Sequence, residues 1–236
     1  MTLCAEPPTG SGPTAMRKVA IVAALEREVR PLIKSWRVTE KDYDGRRFRF
    51  FENGEVVLVC GGIGAAAARR AAEAVIALFD PAAVCSVGFA GALDSGLKVG
   101  DLVRPRTVIN AGDGSRATVE DGQGVLVSFG SVANPAQKLK LRDSFAAQAV
   151  DMEAAAVARA AETWGKRFVA VKAISDEVDF EFPAMDRFVD SEGKFAEGRF
   201  AVYAAIRPWL WPRAVHLARN SSRASRALCA ALSDLR

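Results

Sequence analysis

"KVAIVAAL", residues 18–25, is an unbroken apolar run of β-branched residues and alanines, and it passes directly into "EREVRPLIKSW", residues 26–36. A short continuous apolar run reads as a strand covered on both faces, since a half-exposed strand would alternate apolar with polar residues. The segment after it has helical spacing up to Trp36. The same handover recurs. "RRFRFFENGEVVLVCGGIG" (46–64) reads as a hairpin turning at Asn53-Gly54, and "AAAARRAAEAVIALF" (65–79) follows as a helix stopped near Asp80-Pro81. "AAVCSVGFAGAL" (82–93) is a second buried strand, and "GDLVRPRTVIN" (100–110) and "GVLVSFGSVA" (124–133) are further strand candidates. Asn134-Pro135 opens a helix to about Ser144, "AVDMEAAAVARAAETWG" (149–165) carries a helix from about Glu153 to Trp164, and "KRFVAVKAISDEVD" (166–179) is a strand with a charged exit. Residues 181–200 read as irregular, and a last helical region runs from about Arg213 to Leu235.

Strands alternating with helices argue an α/β fold whose sheet is covered on both faces. In such sheets ligands bind beyond the carboxyl ends of the strands. The residues found there are Glu26 and Glu28, Gly62-Ile63-Gly64, Phe89-Ala90-Gly91, Asp151 and Glu153, and Ser175-Asp176, with Lys172 the one base close to a strand exit.

The chain has 236 residues, 50% of them hydrophobic and 25% charged, enough for one substantial core. No apolar run has the length a membrane span needs. Residues 1–16, rich in Pro, Gly, Ser and Thr, read as a disordered leader before a single domain at 17–236, with Met16 as an alternative start. Cys4, Cys60, Cys85 and Cys229 form no C-x-x-C pair, which fits reduced thiols in a cytoplasmic protein. The single histidine, His216, leaves no multi-histidine zinc site and no His-dependent triad with a spare His, and it reads as a surface or packing residue. A net charge of +4 without a basic stripe argues against a nucleic-acid surface.

Each local motif has two readings. "GGIGAAAARRA" turns into a helix start whose free N–H groups suit an anion, or it is a tight turn needing glycine for close packing. Its spacing is neither that of a P-loop nor that of a dinucleotide fingerprint. Glu26 and Glu28 complement a helix dipole or supply a catalytic carboxylate. Ser175-Asp176 caps a following element or holds a proton donor at the sheet edge, so that one carboxylate is a base and another an acid.

Four co-linear stretches, "IVAALEREV", "CGGIGAAAA", "GFAGALDSGLKVGDLV" and "AVDMEAAAVA" followed by "VAVKAISDEVD", span residues 18–179. Together they resemble the purine nucleoside phosphorylase and 5′-methylthioadenosine/S-adenosylhomocysteine nucleosidase superfamily. The resemblance implies a three-layer α/β/α sandwich around a mixed, partly barrel-like sheet, no metal or organic cofactor, and a homodimer. It implies that Glu28 activates the attacking water and that Glu153, with the backbone at Met152, grips the ribose hydroxyls. Asp176, supported by Ser175, hydrogen-bonds or protonates N7 of the purine. Ile63, Phe89, Ala90 and Gly91 line the pocket. Asp151 is expected to point away and to cap or pair locally.

Phosphorylases of the family carry an Arg and a Ser near this strand exit; the matching positions here are Ser86 and Phe89, which suit a phosphate poorly. Hydrolysis is therefore expected, with phosphorolysis and a non-catalytic binder, in which Phe89 fills the nucleophile's place, as the alternatives. Other departures are Lys172 in place of the usual Arg and a short polar segment at 111–124. Where an aromatic normally stacks on adenine the chain offers either Val132 or Phe129.

Residues 207–236 hold six arginines and one acid, Asp234, with Trp209 and Trp211 flanking Leu210. This composition suits a helix lying on an anionic membrane or an amphipathic helix packed on the sheet with a solvated basic face. The tail, with the "AVDME" and "GFAGALDSGL" variants, is similar to the hopanoid-associated branch of the superfamily. That similarity implies removal of adenine from adenosylhopane, a nucleoside carrying a large lipid at its 5′ position.

Overall fold

The computed structural model describes residues 18–181, 185–188, 190 and 193–233, so the leader and Asp234 lie outside the described residues. In chain order the elements are β1 (Val19–Ala23), α1 (Glu26–Ile33), β2 (Arg37–Tyr43), β3 (Arg46–Asn53), β4 (Val56–Cys60), α2 (Ala65–Phe79), β5 (Ala83–Ala92) and β6 (Leu102–Val103). They continue with β7 (Thr107–Asn110), β8 (Arg116–Thr118), β9 (Val125–Ser128), α3 (Pro135–Phe145), β10 (Ala149–Asp151), α4 (Ala154–Thr163), β11 (Arg167–Asp176), α5 (Glu197–Ala205) and α6 (Trp211–Ser233).

All eleven strands join one mixed sheet, with β2-β3-β4-β1-β5-β10-β9-β7-β8 as its main path and β11 and then β6 branching from β5. Its centre is the long strand β5. One edge of β5 pairs in parallel with β11 along nearly its whole length. The other edge changes partner: Ala83–Val87 pair in parallel with β1, and Gly91 and Ala92 pair antiparallel with β10. The sheet therefore forks at Gly88-Phe89-Ala90, where no strand among the described residues occupies that edge. This fork gives the sheet its partly barrel-like form.

The central strands are covered on both faces, which makes three layers. On one face α1 and α6 pack Val29, Leu32, Ile33, Leu228 and Leu232 against Ile21, Leu58, Cys85 and Val171. On the other, α2 and α4 pack Ala68, Ala72, Val75, Val157 and Ala161 against Ala20, Val22, Val57 and Val84. Alanine dominates α2 and α4 because two helices must approach each other and the sheet closely. A Cβ at Gly61, for instance, would lie 2.6 Å from that of Ala71.

Three departures from expectation have simple causes. Residues 37–43 form β2, an edge strand whose charged, half-exposed side chains show no apolar alternation. Helix α1 ends at Ile33 rather than Trp36. The segment read as irregular includes a 3₁₀ turn at Met185–Phe188 and the start of α5.

Helix α6 does more than cover the sheet. Pro31 lies inside α1 and has no N–H to give the carbonyl of Arg27. The buried Ser225 hydroxyl of α6 stands in, donating to Glu28 O at 2.9 Å and reaching Arg27 O at 3.4 Å. The turn that carries Glu28 is thereby pinned from 197 residues away in sequence. Leu228→Ala should lower the unfolding free energy by about 2–5 kcal/mol. Ser225→Ala should lower it by about 1–3 kcal/mol. Urea unfolding of both variants checks this, and a Ser225→Ala protein as stable as wild type would remove the pinning role.

Candidate functional site

The fork in the sheet is where the predicted residues meet. Glu28 lies just beyond β1, Phe89-Ala90-Gly91 belong to β5, Met152 and Glu153 follow β10, and Ser175-Asp176 end β11. Ile63 sits in the β4–α2 turn and Val132 in the loop before α3. All of them line one cavity of about 1090 Å³. Glu28 and Glu153 thus approach from the edge of β5 that forks, and Asp176 from the opposite edge.

The two acidic residues after β1 separate cleanly. Glu26 is exposed and paired with Arg49 at 3.0 Å, whereas Glu28 is only 5% exposed. Burial, and then the charge of Glu153, push the Glu28 carboxyl up to about 7, against the opposing pull of Lys172 and Arg27. Room for it comes from Gly88, whose φ of +155° favours glycine and whose missing Cβ would lie 3.0 Å from Glu28 Oε2.

Glu153 is held by the backbone. Gly64 N–H donates to its Oε1 at 2.8 Å and Met152 N–H to its Oε2 at 3.3 Å. The anion at the start of α2 is therefore a side chain of the protein itself. Burial and then Asp151 raise the Glu153 carboxyl above its ordinary range, while Lys172 and the two N–H donors oppose them. The remaining lone pairs of both oxygens are open to donors.

Behind these carboxylates lies a sealed ion pair. Lys172 Nζ sits 2.9 Å from Asp151 Oδ2, with both side chains essentially inaccessible. Burial pulls the Lys172 ammonium down, but Asp151, Glu153 and Glu28 outweigh it and hold it above the ordinary lysine value. Asp151 also accepts from Ser128 Oγ at 2.5 Å and from Ala154 N–H at 2.9 Å, and Ser128 Oγ accepts from Ala155 N–H at 2.9 Å. Asp151 thus caps α4, as its expected local role requires, and also bonds a lysine from another strand.

Asp176 has a different environment. Its Oδ1 accepts from Ser175 Oγ at 2.7 Å and its Oδ2 from Lys138 Nζ at 2.5 Å. Ser175 is skipped in the β5–β11 register, a bulge that re-aims the strand end. Lys138, on α3, was not legible as a site residue, because in sequence it is one of several lysines and arginines on a helix. The one available signal was its position in the turn after Asn134-Pro135, a segment already placed beside the base.

Val132 lines the cavity, whereas Phe129 packs against the cluster of Leu93, Ile109 and Val127. Ser86, one of the two positions compared with phosphate ligands, is fully buried in the sheet and its hydroxyl has no hydrogen-bond partner among the described residues. His216 stacks on Phe180, a cavity residue, at 5.6 Å between ring centroids. The segment around Gly193 closes one wall: its carbonyl accepts from Ile63 N–H at 2.7 Å, and Phe195 lies under the Arg27 guanidinium at 4.8 Å. Among the described residues no group of three His, Cys, Asp or Glu side chains is arranged to hold a metal ion.

Known proteins share this fold. Solved structures with a similar fold include a 5′-methylthioadenosine/S-adenosylhomocysteine nucleosidase from Neisseria meningitidis in complex with methylthio-immucillin-A. It has a TM-score of 0.67 and 22% identity, over 90% of this chain and 95% of that one. A second, the nucleosidase of the same name from Colwellia psychrerythraea in complex with adenine, has a TM-score of 0.61 and 25% identity over 69% and 84% of the two chains. In sequence, nucleosidases of that name from Staphylococcus carnosus and Halalkalibacterium halodurans are 26% and 29% identical over 75% and 68% of this chain, and 94% and 86% of theirs. The family model described as the phosphorylase superfamily matches residues 18–136 and 123–205. With most of its length matched in this way, the chain belongs to the phosphorylase superfamily.

Proposed function

We propose that this chain is a nucleosidase, hydrolysing the N-ribosidic bond of a 5′-substituted adenine nucleoside and releasing adenine. The observation that carries the reading is the set of acidic groups around one cavity, with the buried Glu28 and the half-buried Glu153 on one edge of β5 and a hydrogen-bonded Asp176 on the other. Glu28 takes the proton of the attacking water. Its carboxyl, pushed up to about 7, is poised to hold that proton near neutral pH. Glu153, fixed by Gly64 and Met152, accepts the ribose hydroxyls and orients the sugar. The oxocarbenium-like transition state is cationic, and the carboxylates around it favour that charge. Asp176, with Ser175, meets N7 of the departing base.

The finer part of the proposal is the 5′ substituent. At about 1090 Å³ the cavity stands at the upper end of the roughly 300–1,000 Å³ of ordinary small-molecule sites. It continues from Glu28 between α1 and α6, along Pro31, Ala214, Leu217 and Ala218. A long apolar group such as the lipid of adenosylhopane fits that extension better than a methylthio group. The protein would work as a cytoplasmic homodimer resting on the membrane. The exposed Val202, Ile206, Trp209, Trp211 and Val215 of the α5–α6 region supply an apolar contact, with Arg199, Arg213 and Arg219 beside them to meet anionic headgroups.

Adenine release from a panel of 5′-substituted adenosines, with and without phosphate, tests the reaction. The expected result is free adenine and free sugar in phosphate-free buffer. Glu28→Gln and Asp176→Asn should each cut the rate by about 10²–10⁴-fold. A strict need for phosphate would make the chain a phosphorylase, and no release from any substrate would make it a binder.

The pH behaviour follows from Glu28. Its base form fills as pH rises through about 7, so kcat/KM should rise over that range. Stability should move the other way. The unfolded chain releases this proton near the ordinary carboxylate value of 4.5, while the folded chain keeps it to about 7. The cost therefore grows between those values and is fully present above 7. Glu28→Gln should then be inactive yet more stable than wild type at pH 8, by on the order of 3 kcal/mol. Thermal unfolding at pH 5 and pH 8 checks this, and equal stability of the two proteins at pH 8 would count against it.

For the membrane, sedimentation with phosphatidylglycerol-containing vesicles should carry the protein down, and neutral vesicles should not. Trp209→Ala with Trp211→Ala should abolish the binding. A protein that ignores both vesicle types but loses its dimer on the double substitution would assign this face to a subunit interface.

A further inference from the structure

Lys138 is only 2% exposed, although it lies within the first turns of α3, where the helix dipole disfavours a cation. Lysine is almost never this buried unless it is paired. The local sequence holds it firmly: Asn134 and Gln137 cap the helix reciprocally at 2.9 Å each way, and Pro135 starts it. The ammonium donates to Asp176 Oδ2 at 2.5 Å and to the Glu177 carbonyl at 2.6 Å. Gly91 leaves space for the pair, since a Cβ there would lie 2.8 Å from Asp176 Oδ2 and 3.3 Å from Lys138 Cε. The Asp176 side chain remains 24% exposed, and both residues line the cavity.

In this arrangement Asp176 accepts at both oxygens, from Ser175 at one and from Lys138 at the other. An ionised carboxylate is an acceptor only and has no proton of its own to give. The strongest proton donor in contact with it is the ammonium behind it. We propose that Lys138 is the proton reservoir of the leaving-group acid and acts on the departing base through Asp176. The inference rests on the nucleosidase reading above.

The C1′–N9 bond breaks and its electron pair goes to the base. A proton passes from Lys138 Nζ to Asp176 and from Asp176 to N7, which leaves Lys138 as the neutral amine and Asp176 again as the carboxylate. Water forms the new C1′–O bond and gives its proton to Glu28. Transfer of one proton from Glu28 to Lys138 through solvent restores the enzyme. Lys138 is thus a positioning residue in the geometric sense and a donor in the chemical one, without touching the base.

Removing the reservoir should matter in proportion to how badly the base leaves. The experiment measures kcat/KM of wild type and Lys138→Met on nucleosides of adenine, 2-fluoroadenine and 2-chloroadenine that carry the 5′ group wild type cleaves fastest in the panel above, the halogens making the base a better leaving group. Lys138→Met, near in volume and uncharged, should lose about 10²-fold or more on the adenine nucleoside, the range of a lost general acid. The loss should shrink at least several-fold across the halogenated pair and fall on kcat rather than KM. Asp176→Asn should show the same trend. An equal loss on all three substrates would make Lys138 merely structural and overturn the proposal, as would no loss on any. If wild type itself releases no base from any member of that panel, the nucleosidase reading fails first and takes this proposal with it.

Discussion

The Nζ of Lys172 is the charge on which the site depends. It lies 2.9 Å from Asp151 in a place that water does not reach. An ion in such a place costs several kcal/mol, and only a well-made partner offsets this. Asp151 meets that demand while also capping α4 and accepting from Ser128, so one side chain fixes β9, β10, β11 and α4 relative to each other. Glu28 and Glu153 also act on Lys172 electrostatically, but Asp151 already has the short contact. Three carboxylates thus share one ammonium, and the shortfall of positive charge falls on the two that face the cavity. Both are raised first by burial and then by a neighbouring carboxylate, Glu153 in the case of Glu28 and Asp151 in the case of Glu153, with Lys172 opposing.

The fork in the sheet turns this chemistry into geometry. A sheet whose β1 and β10 both ran the full length of β5 would leave no opening at Gly88-Phe89-Ala90. Because β1 stops at the level of Val87 and β10 begins at Gly91, the intervening edge of β5 is exposed to the loops that follow both strands. Gly88 is the hinge of this arrangement: its φ of +155° and missing side chain admit the Glu28 carboxylate against the strand. Helix α6 completes it from the other side: Ser225 donates to the Glu28 carbonyl and reaches the Arg27 carbonyl that Pro31 leaves without its helical donor.

The central strands were legible because burial on both faces writes itself as uninterrupted apolar runs, as in β1, β4, β5 and β11. Helices α2 and α4 were legible from their alanines. Strand β2 was not, since "RVTEKDY" is an edge strand whose charges face water and whose pairing with β3 is backbone work that leaves no apolar period. At the site, the carboxylates stood out as polar residues at the ends of apolar runs. Two features did not. The division between Glu26 and Glu28 depends on which way α1 faces, and Arg49 on β3 and Gly88 on β5 decide that from outside the helix. The partnership of Lys138 with Asp176 spans 38 residues and exists only because α3 is packed beside the end of β11. Charge pairs formed by tertiary packing leave no spacing in the sequence to read.

The two buried lysines divide the site electrostatically. Lys172 is shared among Asp151, Glu153 and Glu28, which leaves that edge of β5 short of positive charge, while Lys138 meets Asp176 one to one. In the proposed reaction the sugar becomes cationic as the base becomes anionic. The carboxylate-rich edge favours the first change, and the ammonium-backed aspartate favours the second. Neither gain requires the groups to move, because Gly64, Met152, Ser175 and Ser128 already hold them by hydrogen bonds. Preorganised charge of this kind works at its best where water is excluded. That is the physical reason for building the site into the fork of the sheet and walling it with α6 and the segment around Phe195.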